Sequence, residues 1–380
     1  MTIATRRDGV ARDTDARLAI VDTDVHHGPL DRVKAFGPFL SRTDRQRLAD
    51  YGLGGGAQLY QMDGGFRGWR ADLGSLEGGI PPRSVGAVTW DPDTTRTQLL
   101  DAFDLEIAIL TGGPLYGVQT AMPDVDFATA LCRAFNEWTA RTWIESDRRY
   151  RYTIAISTQD PEAAAAEIDR LGEDPRACGV MMPTGGMRPF GHRLYRPIHE
   201  ACARHHLPIA MHFIGGRSQV TSAAYPSYYI EARFARPLSY QVQIASFIFE
   251  GVFDRHPNLK LALLEAGFNW VPAYTWRLDG RWQGLRHQTP WVKKAPSEYM
   301  LENVRFSSQP IEDPEPKVAL GQILDWIGAD RTLMFSSDYP HFDWDSPAQA
   351  FAEVAPALRR RILGENARAT FRLEARAEQA

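Results

Sequence analysis

The segment YTIAISTQDPEAAAAEIDRLGEDPRACGVMMP, residues 152–183, holds two short apolar runs on either side of a helical pattern. YTIAIS (152–157) and GVMMP (179–183) read as strands. Between them, DPEAAAAEIDRLG (160–172) opens on an Asp suited to capping a helix and a Pro suited to its first position. A strand, a crossover helix and a second strand imply parallel pairing.

The same alternation extends in both directions. Toward the C-terminus come a helix at 195–206, the strand PIAMHF (208–213) and a helix at 238–253. LKLALLEAG (259–267) is a strand before a helical stretch at 270–282, and NVRFSS (303–308) is a strand before a helix at 315–327. TLMFSSD (332–338) is the last strand, followed by helices at 347–360 and 362–373. Toward the N-terminus lie a long helix at 124–149, the strand LEIAIL (105–110) and a Gly-rich irregular region over about 30–96. That region contains GLGGG (52–56) and MDGGFRGW (62–69), and the strand LAIVDTD (18–24) precedes it. Eight strands, each followed by a helix or by an insertion and then a helix, predict an α/β fold. The architecture is a (β/α)8 TIM barrel with a long insertion after strand one and a C-terminal helix. An open doubly wound sheet would require a GxGxxG phosphate turn after an early strand, which is absent. One domain over 18–373 is expected, between polar tails at 1–17 and 374–380.

Composition narrows the function. A chain of 380 residues, 44% hydrophobic with a net charge of −4, supports a large core and shows no basic stripe for nucleic acid. Its three cysteines, Cys132, Cys178 and Cys202, form no CxxC pair and suit a reducing compartment. No apolar stretch is long enough to span a bilayer, and the polar N-terminus lacks a signal-peptide core. These readings predict a soluble cytoplasmic protein acting on a small molecule, with homo- or hetero-oligomerisation left open.

Polar residues stand where the predicted strands end, the face at which barrels of this kind carry their chemistry. Alternation puts Asp22, Asp24 and His26 on one face of strand one. Strand five contributes His212, strand six Glu265 and strand eight Asp338, with His341 in the loop beyond. His212 alone reads as a hydrogen-bonded core histidine. Buried carboxylates at positions 265 and 338 are costly without a partner. One divalent cation at the barrel mouth compensates these groups together, using neutral imidazoles and ionised carboxylates. His27 follows His26 and points to the opposite face unless the strand has ended. His192, His199, His205, His206, His256 and His287 read as surface or capping residues. Arg217, just after His212, could meet an anionic substrate group, against the plainer reading of an exposed arginine with no specific contact.

Asp24-x-His26, His212, Asp338 and the segments LLEAGFNWVPAYTWRLD (263–279), FSSDYPHFDWD (335–345) and ILGENARATFRL (362–373) resemble the amidohydrolase-related metalloenzymes. This branch includes hydrolases, hydratases and decarboxylases. The DVHH opening (24–27) and Glu265 are closest to a subgroup resembling non-haem di-iron or iron–manganese monooxygenases. The chain departs from the hydrolase pattern at Asp24 and Glu265, where histidines are usual, and strand four has no lysine. Arg233, in PSYYIEARF, stands where that subgroup would have a histidine.

The resemblance implies that Asp24, His26, His212 and Asp338 hold one metal while Glu265 and His341 bridge or hold a second. His27 and Glu231 are further candidates around a second ion. Iron or manganese suits these ligands, and zinc can also be held. The favoured expectation is an O2-dependent hydroxylase acting on a small organic or carrier-linked substrate. The alternative is a hydrolase or decarboxylase using one Zn or Mn, with Asp338 as general base, a role Glu265 could share; His341 is a further catalytic candidate. A third reading is a non-catalytic partner subunit.

Overall fold

The computed structural model describes residues 18–29, 31–53, 91–113, 115–213, 229–312, 314, 316, 318–341 and 344–373; for 51, 229–233 and 235 it describes the backbone. Eight strands form one sheet: β1 (Val21–His26), β2 (Ile107–Gly112), β3 (Tyr150–Ala155), β4 (Ala177–Met181), β5 (Ile209–His212), β6 (Leu261–Leu264), β7 (Val304–Ser307) and β8 (Leu333–Met334). They pair in sequence order, every pair parallel. The segment after β8 closes the ring onto β1. Thr23 N donates to Phe335 O at 3.1 Å, Asp338 N to Asp24 O at 3.1 Å, and His26 N to Tyr339 O at 2.9 Å. The fold is the expected TIM barrel.

The interior is filled from alternate strand positions, among them Ile107, Ile109, Met181, Ala210, Ala262, Leu264 and Met334. Ala367 and Phe371 of the C-terminal segment join them. That segment sits tightly against the start of β1: a Cβ on Gly364 would lie 2.1 Å from the Ala19 carbonyl oxygen. The three cysteines are buried and unpaired. Among the described residues, no helix is long and apolar enough to cross a membrane.

Local chemistry explains where the elements begin and end. Asp160 caps the helix Pro161–Leu171 by accepting from Ala163 N at 3.0 Å, with Pro161 in the first turn, as the sequence predicts. β6 stops at Leu264 rather than 267, because Glu265 adopts φ +52° and turns the chain out of the sheet. β8 is short for a related reason. After Met334 the chain bonds irregularly to β1 and then turns at Asp338, φ +62°. The helix expected over 347–360 begins only at Pro356, since the residue before a proline is pushed to extended backbone and Ala355 has ψ 134°. The helix after β5 runs Tyr229–Phe249, earlier than expected and with Pro237 inside it.

The insertion is more regular at its start than its composition suggests. Asp31 and Ser41 cap short helices, Arg32–Phe36 and Arg42–Tyr51. Its glycine-rich part, 54–90, lies outside the described residues.

Candidate active site

β1, β5 and the turn after β8 deliver four side chains to the barrel mouth. One ligand-type atom from each of Asp24, His26, His212 and Asp338 lies within 4.8 Å of the others, and all four residues are buried. Each is aimed by a neighbour. Asp24 Oδ1 accepts from Thr111 Oγ1 at 2.6 Å. His26 Nδ1 lies 2.9 Å from Gly112 O, which only an Nδ1–H can satisfy, so a neutral ring turns its Nε2 lone pair toward Asp338 Oδ1 at 2.8 Å. A lone pair facing a carboxylate oxygen needs a proton or a cation between them. His212 donates from Nδ1 to Phe213 O at 2.6 Å. Its Nε2 makes no hydrogen bond and stands 3.5 Å from Asp24 Oδ2, which makes none either.

The donor set therefore fits a divalent ion: two carboxylates and two imidazoles of fixed orientation, with buried lone pairs converging. Burial, and then the nearby His26, hold the His212 imidazole well below the usual histidine range, in its neutral ligating form. Burial likewise pushes the Asp24 carboxyl above its ordinary range, against the opposing pull of His26. A bound dication would reverse that cost. Behind β1, Asp22 Oδ1 accepts from Asp24 N at 3.2 Å and Ser337 N at 2.9 Å, tying β1 to the β8 turn. Burial pushes its carboxyl up to about 7.

The other sequence candidates divide. His341 Nδ1 is 4.0 Å from Asp338 Oδ2, and its ring centroid lies 4.8 Å from that of His26. Glu265 Oε2 is 3.7 Å from His212 Nε2, outside the four-residue group, and its Oε1 is in a short ion pair with Arg236. His27 turns away from the mouth, as alternation requires. It accepts at Nδ1 from Gly112 N at 3.2 Å, its Nε2 lies 2.9 Å from Thr139 Oγ1, and its ring stacks on Trp138. Both nitrogens are used, so no lone pair remains for a second ion, and burial lowers its pKa to about 3. Arg217, and the side chains of Glu231 and Arg233, lie outside the described residues. His199 is buried rather than exposed, its Nε2–H donating to Phe190 O at 2.9 Å.

Sequence reasoning missed Thr111 and Arg236. A threonine ending a neighbouring strand is a weak but usable signal, whereas an arginine inside a helix gives none.

A family model for amidohydrolases matches residues 89–373. The chain belongs to the amidohydrolase family. The match begins after β1, so Asp24 and His26 rest on the geometry given above. As a member of this enzyme family the chain is an enzyme, which sets aside the partner-subunit reading.

A gamma-resorcylate decarboxylase of Rhizobium radiobacter is 28% identical over 306 residues, 75% of this chain and 89% of the relative. One from Rhodococcus jostii is 26% identical over 313 residues, 75% and 88%. Among solved structures, the dihydroxybenzoic acid decarboxylase of a Polaromonas species, with bound manganese and the inhibitor 2-nitroresorcinol, has a TM-score of 0.63 at 20% identity, covering 93% and 96%. The likeness to the solved structure shows the fold.

These relatives overturn the favoured expectation. The amidohydrolase assignment of the family stands, but the relatives are decarboxylases rather than members of a monooxygenase-like subgroup. The O2-dependent hydroxylase reading is corrected accordingly; of the two metals favoured, iron and manganese, manganese is the one bound in the solved relative. Glu265 and His27 misled because they were read as candidates for a second ion. In the structure Glu265 is paired with Arg236 and His27 is packed among aromatic rings.

Proposed function

We propose that this amidohydrolase is a metal-dependent decarboxylase releasing CO2 from a small carboxylic acid of the hydroxybenzoate type. The observation that carries the reading is the buried convergence of Asp24, His26, His212 and Asp338, in a chain whose relatives are gamma-resorcylate decarboxylases. A divalent ion held by these four residues would supply a Lewis acid that anchors an anionic substrate oxygen and draws electron density from the ring. Manganese suits the mixed carboxylate and imidazole donors, and zinc is the alternative.

In such a reaction the bond from ring carbon to carboxylate breaks, both electrons remain on carbon, CO2 leaves and one proton takes its place. We assign that proton to Asp338, whose Oδ1 is 2.8 Å from His26 Nε2 at the mouth of the barrel. His341, with Nδ1 4.0 Å from Asp338 Oδ2, is placed to replace the proton after each turnover. Thr111 and Asp22 keep the acceptor atoms in position. Burial of all four ligands excludes bulk water, which favours conversion of a charged carboxylate into neutral CO2.

The test is manganese-loaded protein with a panel of carboxyl-labelled hydroxybenzoates, 2,6-dihydroxybenzoate first, and mass spectrometry of the headspace. Labelled CO2 should appear equally with and without O2, and Asp338→Asn should slow it by about a thousandfold. Silence across the whole panel from folded, metal-bound protein would overturn the reading.

A further inference from the structure

Glu265 follows β6 directly, beside the four-residue cluster, and already has a cation against it. Arg236, from the helix Tyr229–Phe249, is in a short ion pair with Glu265 Oε1, and the two side chains are 11% and 2% exposed. The guanidinium is pinned from below, its Cζ lying 4.5 Å over the Phe213 ring. The Glu265 backbone is pinned from behind: its N donates to Ser307 Oγ at 3.0 Å, and the residue holds φ +52°, a conformation uncommon for a non-glycine residue. Its other oxygen, Oε2, lies 3.7 Å from His212 Nε2.

A buried carboxylate at such a position can be neutralised by a proton, by a metal or by a fixed cation. Here the fixed cation is present. Asp24 and Asp338 belong to the four-residue group, whereas Glu265 already has the Arg236 guanidinium against it. A second dication beside Glu265 would lie against that fixed guanidinium, and like charges that close in a buried site repel strongly.

Resting on the metal-centre reading above, we propose that Arg236 is a positioning residue that sets the ligand set of the metal. By holding Glu265 it keeps that carboxylate off the ion, so that the centre takes a single metal through Asp24, His26, His212 and Asp338. The side next to Glu265 is then left for the substrate. The Arg236 guanidinium thus occupies the electrostatic place of a second metal ion.

The test uses the full-length protein, MnCl2 as the only probe, and three readouts: ion count by elemental analysis, Mn²⁺ affinity by calorimetry and the EPR spectrum of the bound ion. Wild type should bind one Mn²⁺. Arg236→Met removes the nearby positive charge and releases Glu265 toward the ion. It should tighten Mn²⁺ binding by at least about tenfold and change the EPR spectrum. The charge-matched double variant Arg236→Met/Glu265→Gln should stay within about threefold of wild type, because neither side chain touches the ion.

Two ions in wild type, unchanged or weaker binding in Arg236→Met, or a tenfold loss in the double variant would each overturn the proposal. The double variant still decides if the single one does not fold. Asp338→Ala separates the two readings. If it keeps wild-type Mn²⁺ affinity, the metal centre itself is misplaced; if it loses Mn²⁺ while the other results fail, only the role of Arg236 falls.

Discussion

Asp24 Oδ2 and His212 Nε2 face each other across 3.5 Å of buried space, and neither makes a hydrogen bond. In a protein interior, unpaired polar atoms are costly, and two that converge on one point describe a ligand position. Asp24 comes from the first strand and His212 from the fifth, so folding the barrel creates the position and an ion occupying it should stabilise the barrel.

Metal removal should therefore be visible in stability. Saturating Mn²⁺ at about 100 times its dissociation constant contributes about 2.7 kcal/mol to the folded state. For a chain of this length that corresponds to a rise in melting temperature of about 3 °C over chelator-treated protein. Calorimetric scans with and without MnCl2 measure it, and identical scans would count against a structural ion at this site.

Thr111 should matter chiefly through Asp24. Its hydroxyl donates to Asp24 Oδ1 at 2.6 Å, and Thr111→Val removes that bond with little change in volume. Partners that orient ligands typically contribute 10- to 100-fold to metal affinity, so Mn²⁺ binding should weaken by about tenfold or more. Calorimetric titration of the folded variant checks it; unchanged affinity would mean that Asp24 is oriented by its backbone.

His199 should steepen acid unfolding. Burial lowers its imidazole to about 3, against an ordinary value of 6.5, so the ring is neutral when folded and protonates once unfolded. Between these two values the unfolded chain binds the extra proton. Stability should thus rise with pH across this window and be lost as pH falls from about 6.5 toward 3. The contribution of one such group to the slope is at most about 1.4 kcal/mol per pH unit. Urea titrations at several pH values should show His199→Gln flattening the slope by about that amount, and a parallel curve would contradict the assignment.

Gly364 should tolerate no side chain. A Cβ there would meet the Ala19 carbonyl oxygen at 2.1 Å, and that atom is backbone at the entry to β1. Gly364→Ala should cost about 3 kcal/mol or more, since neither the C-terminal segment nor the first strand can shift without opening the barrel floor. Chemical denaturation measures the loss.

How much of this was legible in advance depends on the distance over which each feature is determined. The strand–helix alternation was legible because apolar periodicity, the Asp160 cap and Pro161 act within a few residues. Element ends were less so. Glu265 and Asp338 each read as continuing a strand, and nothing local announces that both adopt left-handed backbone. Four members of the mouth could be nominated, since a charged or imidazole side chain closing an apolar strand is conspicuous. The role of Glu265 could not, because its partner lies 29 residues earlier in a helix.

The amino-acid sequence by itself determined the barrel, the order of its strands and the strand ends that carry Asp24, His26, His212 and Asp338. The physical reason is that burial pattern and backbone preference are short-range properties. Only the tertiary structure decided which polar groups meet. His26 and Asp338 are 312 residues apart in the chain and come within 2.8 Å because the segment after β8 closes onto β1. The same closure brings four ligand-type side chains to one point, while Arg236 claims Glu265 and aromatic rings enclose His27. Charge neutralisation in a buried site depends on distances of a few ångströms, and those distances exist only once the ring is closed.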